Sequence, residues 1–202
     1  MIIHTMTQRT PEWFEARKGK ISGTRLGQLI SNRKNRMVYE LLNEQLSDYL
    51  FPDDYISDDM QFGIDNEPIA RDMYALQTGI EWQEIGLIQS SLLPMHVASP
   101  DGISPDSTAV LEIKCTRSGD IHLQRFFEGV ESGYMPQIYN YFAVANEIKE
   151  VHWVSYCPER AERPLIVYVF KRENYEDIVA AAREKISMIE LQLNNMKSQF
   201  LF

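Results

Sequence analysis

The turn Ser99-Pro100-Asp101-Gly102 and the run that follows it, Ala109-Val110-Leu111-Glu112-Ile113-Lys114, constrain this chain more than any other stretch. Pro100 and Gly102 interrupt regular structure, and Ser104-Pro105-Asp106-Ser107 is turn chemistry, so the spacing predicts a hairpin whose second strand begins near Ala109. Side chains alternate faces along a strand. Glu112 and Lys114 therefore project to one side together with Val110, while Leu111, Ile113 and Cys115 project to the other. The hairpin brings Asp101 back beside Glu112, so two carboxylates and one amine converge at a single sheet edge.

That trio points to metal-assisted phosphodiester hydrolysis. Asp101 and Glu112 supply hard oxygen ligands, the backbone carbonyl of Ile113 supplies a third, and Mg²⁺ keeps waters in its remaining octahedral positions, with Mn²⁺ as a substitute. Lys114 beside them can orient or deprotonate the attacking water, or offset charge on the phosphate. Taken singly, an Asp in a Pro-Asp-Gly turn and a Glu-x-Lys pair on a half-exposed strand are common surface features. Their order and spacing carry the argument.

A chain of 202 residues, 44% hydrophobic and 24% charged, can bury one sizeable core. One domain spanning 1–202 is expected. No segment approaches the apolar length of a membrane span, and Met1-Ile2-Ile3-His4-Thr5 has no basic flank leading into an apolar run. A cytoplasmic protein with no membrane association is the expectation. Cys115 and Cys157 are too few for a disulfide framework or a four-thiolate cluster. No His-x-x-x-His or Cys-His pattern implies zinc.

The net charge of −9 opposes a simple nucleic-acid reading, since phosphate binding draws on Lys and Arg. The distribution answers this. Between residues 9 and 36 stand Arg9, Arg17, Lys18, Lys20, Arg25, Arg33, Lys34 and Arg36 against Glu12 and Glu15, while acid collects at Asp53-Asp54, Asp58-Asp59 and Glu147-Glu150. A basic inner surface and an acidic outside follow.

Thr10-Pro11-Glu12 reads as a helix start and Gly19 as its stop, with Trp13 expected in the core. Ser22-Gly23-Thr24 opens a second helix through Ile30, whose N-terminal N–H groups suit a phosphate. Residues 31–36 are a basic connection. Val38, Leu41, Leu42, Leu46 and Tyr49 mark a packing helix that ends at Phe51-Pro52. A helix over about 59–78 is expected to bury Phe62, Ile69, Met73 and Leu76, with Glu67 on the face shared by Gly63, Ala70 and Tyr74. Glu81–Gln89 and Met95–Ala98 read as strands of an antiparallel meander, with His96 in the core rather than on a metal. Ser118 starts a helix carrying Ile121, Phe126, Phe127 and Val130 to Gly133; Pro136 starts another, placing Gln137 and Tyr141 on one face. Val151–Tyr156 and Leu165–Phe170 are apolar enough to be central strands. A final helix presents Ile178, Ala182, Ile186, Ile189, Leu193 and Met196. The order implies an α/β fold with a central mixed sheet flanked by helices.

The Pro-Asp followed by Glu-Ile-Lys resembles the PD-(D/E)xK nuclease signature, on a restriction-endonuclease-like core. Its surroundings resemble the lambda exonuclease (YqaJ-type viral recombinase) family. Trp13-Phe-Glu-Ala-Arg17-Lys-Gly19-Lys-Ile21-Ser22-Gly23-Thr24 matches that family's first block, Gly63-Ile-Asp-Asn-Glu67-Pro-Ile-Ala-Arg71 its Gly-x-x-x-Glu helix, and Tyr134-Met135-Pro136-Gln137-Ile138-Tyr139 its tyrosine-methionine-x-glutamine helix start. The resemblance runs from about Trp13 to Pro158. It implies a Mg²⁺-dependent 5′-to-3′ exonuclease degrading one strand of double-stranded DNA from its ends in phage-type recombination by strand annealing, within a bacterial host. Arg17 and Thr24 would hold the 5′-phosphate, Glu67 would join the metal site directly or through its neighbours, and Gln137 would lie beside the nucleophilic water. An ordinary helix cap is the alternative for Thr24. Rings of three copies are also implied, with Arg33, Lys34 and Arg36 near the channel and a single-strand-annealing protein as partner. A PD-(D/E)xK endonuclease or structure-specific nuclease is one rival reading; a non-cutting DNA-binding protein on the same fold is another.

Overall fold

The computed structural model describes residues 1–30, 34–48 and 56–201, with the backbone alone for 30, 34 and 35. Along it run β1 (Ile2–His4), α1 (Pro11–Arg17), α2 (Gly23–Ile30), α3 (Lys34–Leu46), α4 (Asp58–Thr78), β2 (Leu87–Gln89), β3 (Val97–Ala98), β4 (Gly102–Ile103), β5 (Ala109–Cys115), α5 (Gly119–Glu128), α6 (Met135–Val144), β6 (Glu150–Tyr156), β7 (Leu165–Lys171) and α7 (Glu176–Leu201). Arg33 and the Phe51–Asp54 helix end lie outside the described residues, as does the side chain of Lys34. Among the described residues no helix is long and apolar enough to cross a membrane.

The central sheet has the order β4-β5-β6-β7 and is mixed. β4 and β5 form the expected hairpin, with Gly102 opposite Leu111. Its turn is pinned by Asp106, which accepts from the Ser104 hydroxyl at 2.7 Å and the Thr108 N–H at 3.1 Å. β5 and β6 run parallel, as a connection carrying α5 and α6 requires, and β6 and β7 are antiparallel. The strands before Asp101 instead form a second, antiparallel sheet of order β1-β2-β3. Only Leu87–Gln89 of the anticipated Glu81–Gln89 strand is regular. At Gly86 the chain runs so close to the N-terminal segment that a Cβ would collide with the Met6 carbonyl.

Alternation on β5 divides the interior in two. Val110 packs with α2, α3, α6 and α7 around Tyr141, Phe142 and Trp153. Leu111 and Ile113 pack on the opposite face with Ala70 and Tyr74 of α4 and with Trp82. α4 is thus turned away from the expected stripe: Ala70 and Tyr74 are buried, Ile69 is exposed and Leu76 is 88% exposed. Small Ala70 lets the helix approach the sheet, and the Tyr74 hydroxyl meets His152 Nδ1 at 2.7 Å. The rotation directs the Glu67 face inward.

Three further expectations are corrected. α5 ends at Gly129 (φ 89°) rather than Gly133, and it buries His122 and Arg125 while Phe127 lies 77% exposed. The apolar run of β7 is an edge strand rather than a central one, with Val169 exposed. Trp13 is half-buried rather than in the core; its indole N–H donates to the Gly86 carbonyl at 2.9 Å. α7 buries Val179, Ala182, Ile186, Ile189 and Leu193, close to the expected stripe, with Ile178 left exposed.

α6 ends without a glycine cap, and two arginines satisfy its last carbonyls. Arg172 Nη1 donates to Phe142 O at 2.6 Å and Ala145 O at 3.0 Å, and Arg183 Nε donates to Ala143 O at 2.8 Å. Farther along, Asn140 anchors the helix to β3, accepting from His96 Nε2 at 2.8 Å and donating to Val97 O at 3.0 Å. His96 is fully buried, and burial pushes its imidazole from 6.5 down to about 4. The folded protein keeps His96 neutral where the unfolded chain protonates it. Stability is therefore complete above pH 6.5 and falls as the pH drops toward 4, by on the order of 3 kcal/mol from this group. Urea unfolding across that window should show the loss, and His96→Gln should remove its share of the slope.

Candidate active site

β5 places the chemistry. Asp101 follows β3 in the turn before the β4–β5 hairpin; its N–H donates to Leu111 O at 2.9 Å, and its Oδ2 accepts from the Ile113 N–H at 2.6 Å. Arg71 of α4 donates to the Asp101 carbonyl at 2.6 Å and to Glu84 at 3.0 Å, tying the Glu67 helix to the Asp101 turn. Glu112, only 2% exposed, is held by both oxygens: Lys114 Nζ donates to Oε1 and the Tyr141 hydroxyl to Oε2. A buried carboxylate is tolerated only when paired in this way. Gln137 Nε2 in turn donates to the Tyr141 oxygen at 3.2 Å.

The electrostatics are those of crowded carboxylates. Burial, then Glu112 and Glu67, raise the Asp101 carboxyl well above its usual range. Burial also raises Glu67, opposed by Arg9 and Lys114. Burial alone would lower the Lys114 ammonium, but Glu112 and Asp101 outweigh it and hold the charge on. Glu67 stands within their field and pairs with Arg9 at 3.4 Å. Among the described residues no three His, Cys, Asp or Glu side chains stand together as a metal cluster. Two carboxylates suffice for Mg²⁺, which usually takes one or two from the protein and the rest from water and substrate phosphate. The donor set fits: it is all oxygen, and burial with the neighbouring carboxylates of Glu112 and Glu67 raises Asp101, a crowding of negative charge that a dication would relieve.

Beside this site opens a cavity of about 720 Å³, whose lining includes Arg9, Trp13, Arg17, Lys18, Lys20, Thr24 and Arg25, the acids Glu40 and Glu44, and the apolar Ile56, Met60 and Ile64. Arg17 donates to the Ser99 hydroxyl at 2.7 Å, its guanidinium lies 4.1 Å from the Trp13 ring centroid, and burial lowers it to about 10. Thr24 stands in the first turn of α2 and lines the cavity. Arg25 pairs with Glu44, which also accepts from the Gly19 N–H at 2.8 Å. Gly19 has φ 66°, the left-handed conformation expected just past α1. α2 approaches α6 closely at Gly23, where a Cβ would stand 3.3 Å from Gln137 Cα.

Asp101, Glu112, Ile113 and Lys114 are therefore brought together, Glu67 and Gln137 adjoin them, and Arg17 and Thr24 share the neighbouring cavity. Arg36, 91% exposed at its side chain, pairs with Glu40 at 2.8 Å, and Glu40 itself lines the cavity. Sequence reasoning passed over Arg71, Ser99 and Tyr141 as working parts; the one available signal was Tyr141 lying four residues after Gln137 on a helix face.

The fold has counterparts among solved structures. The chain is similar to an alkaline exonuclease from Laribacter hongkongensis, with 26% identity, a TM-score of 0.81, and 95% of this chain and 96% of that one covered. A structure of the same enzyme in complex with dAMP gives 24% identity and a TM-score of 0.78, covering 95% and 98%. A phage related exonuclease from Haemophilus somnus 129PT shares the fold at 13% identity and a TM-score of 0.61, covering 90% and 96%. No curated protein matches the chain in sequence. The description of the YqaJ-like viral recombinase domain matches residues 12–147, two-thirds of the length, and the chain belongs to that family.

Proposed function

We propose that this protein is a Mg²⁺-dependent deoxyribonuclease that degrades the 5′-ended strand of double-stranded DNA from its ends. One observation supports this above others: the carboxylate site and the basic cavity are a single construction, since Arg17 in the cavity bonds to Ser99, two residues before Asp101. Asp101, Glu112 and the Ile113 carbonyl would hold the cation, with Glu67 adding a ligand directly or through water. Bound there, a divalent cation would supply the charge that polarises the scissile phosphate and lowers the pKa of a water. Lys114, kept as an ammonium by Glu112 and Asp101, offsets charge on the phosphate. Gln137 orients the attacking water, and Arg17 with Thr24 at the α2 N-terminus takes the terminal 5′-phosphate.

An acidic chain with one basic segment holds DNA weakly at physiological salt, and a homotrimeric ring enclosing the duplex would offset this. Arg33, Lys34 and Arg36 would then line the channel, and the strand left behind would pass to a single-strand-annealing protein. Linear duplex labelled separately at each end tests the reading. With Mg²⁺, the 5′ label should appear first in mononucleotides, circular DNA should survive, and sedimentation should give about three times 23.5 kDa. Cleavage of circular DNA would indicate an endonuclease, and binding without cutting a non-catalytic protein.

A further inference from the structure

Tyr141 is 1% exposed and sits where the two halves of the site meet. Its hydroxyl donates to Glu112 Oε2, its oxygen accepts from Gln137 Nε2 at 3.2 Å, and the Ser99 carbonyl lies 3.3 Å away. The Ser99 hydroxyl is itself the acceptor for Arg17 at 2.7 Å. Lys114 occupies the other oxygen of Glu112. A carboxylate bonded at both oxygens cannot rotate about its last torsion, and its remaining lone pairs point in one fixed set of directions. Without the phenol, Oε2 would be buried without a partner, and the carboxylate would have to turn to find one.

We infer that Tyr141 is a positioning residue: it fixes the rotation of Glu112 so that the carboxylate is aligned for a divalent cation before the cation arrives. This rests on the reading of Asp101 and Glu112 as metal ligands. The anchoring of α6 supports it. Asn140, the adjacent residue, is bonded to β3, and the C-terminal carbonyls of the helix are held by Arg172 and Arg183, so the phenol is carried on a helix fixed at two points. Fixing a ligand's orientation through a neighbour's hydrogen bond is worth about 10–100-fold in metal affinity.

Tyr141→Phe removes one oxygen and leaves the ring packing in place. The test is Mn²⁺ titration of the full-length protein without DNA, followed by electron paramagnetic resonance, alongside thermal unfolding and the Mg²⁺ dependence of cleavage. Relative to wild type, Tyr141→Phe should bind Mn²⁺ at least about tenfold more weakly. It should need correspondingly more Mg²⁺ for half-maximal cleavage and recover most of kcat at saturating Mg²⁺. A lowered Tm with unchanged Mn²⁺ affinity, or a kcat defect that Mg²⁺ does not restore, overturns the inference. Glu112→Gln separates it from the reading beneath: if wild type and Glu112→Gln bind Mn²⁺ alike, Glu112 is not a ligand and both fall.

Discussion

Asp101→Asn, Glu112→Gln and Lys114→Gln proteins should fold, bind duplex DNA and cut it on the order of a thousandfold more slowly than wild type. The size follows from the several kcal/mol that a correctly held cation contributes at a reacting phosphate, each 1.36 kcal/mol being tenfold in rate. The amide and shortened replacements are chosen because Glu112 is buried with both oxygens occupied. Truncation to Ala would leave Lys114 and Tyr141 without their shared acceptor and confuse lost chemistry with lost stability. The three variants also separate roles. Asp101→Asn and Glu112→Gln should lose Mn²⁺ binding, whereas Lys114→Gln should retain it, since an ammonium is no ligand. Single-turnover cleavage with saturating DNA checks the rates, and near-normal cutting by any one of them removes that residue from the site.

Arg17→Ala should slow digestion of 5′-phosphorylated ends by about 10- to 100-fold, the equivalent of the roughly 1.5–3 kcal/mol carried by a hydrogen bond to a charged group. Ends bearing a 5′-hydroxyl should be slowed far less. Arg17 is well placed for this, since Ser99 and the Trp13 ring hold its guanidinium at the cavity wall and no carboxylate among the described residues forms an ion pair with it. Arg25, paired with Glu44, is less available. Arg17→Lys keeps the charge but loses the planar fork, so it should recover only part of the discrimination. Digestion of matched duplexes differing only in the 5′ group is the measurement. Equal loss on both ends would mean that Arg17 serves the fold or general affinity.

Much of this site was legible because its parts are local. Period-two alternation on one strand decides that Glu112 and Lys114 share a face, and a hairpin of the observed length can only return Asp101 to that strand. β5, the α1 cap at Thr10 and the α2 start required nothing beyond neighbours in the chain. Helix faces were another matter. α4 offered an apolar stripe through Ile69 and Leu76, yet buried Ala70 and Tyr74, because a small residue and a phenol that reaches His152 pack the helix closer to the sheet than larger side chains allow. α5 likewise buried Arg125, which bonds to Ser155 and the Lys114 carbonyl, in preference to Phe127.

The contacts that join the site into one unit are long-range ones, which no local spacing announces. Tyr141 meets Glu112 from 29 positions away and Arg17 meets Ser99 from 82. Local sequence alone determined the strand that carries Glu112 and Lys114, the turn that presents Asp101, and the basic segment around Arg17, because alternation, turn chemistry and capping act within a few residues. Only the tertiary structure decided that α6 brings its phenol beneath Glu112, that α4 turns Glu67 inward, and that the basic cavity opens beside the carboxylates. Those placements depend on how closely two surfaces can approach, which is settled when they pack and not before.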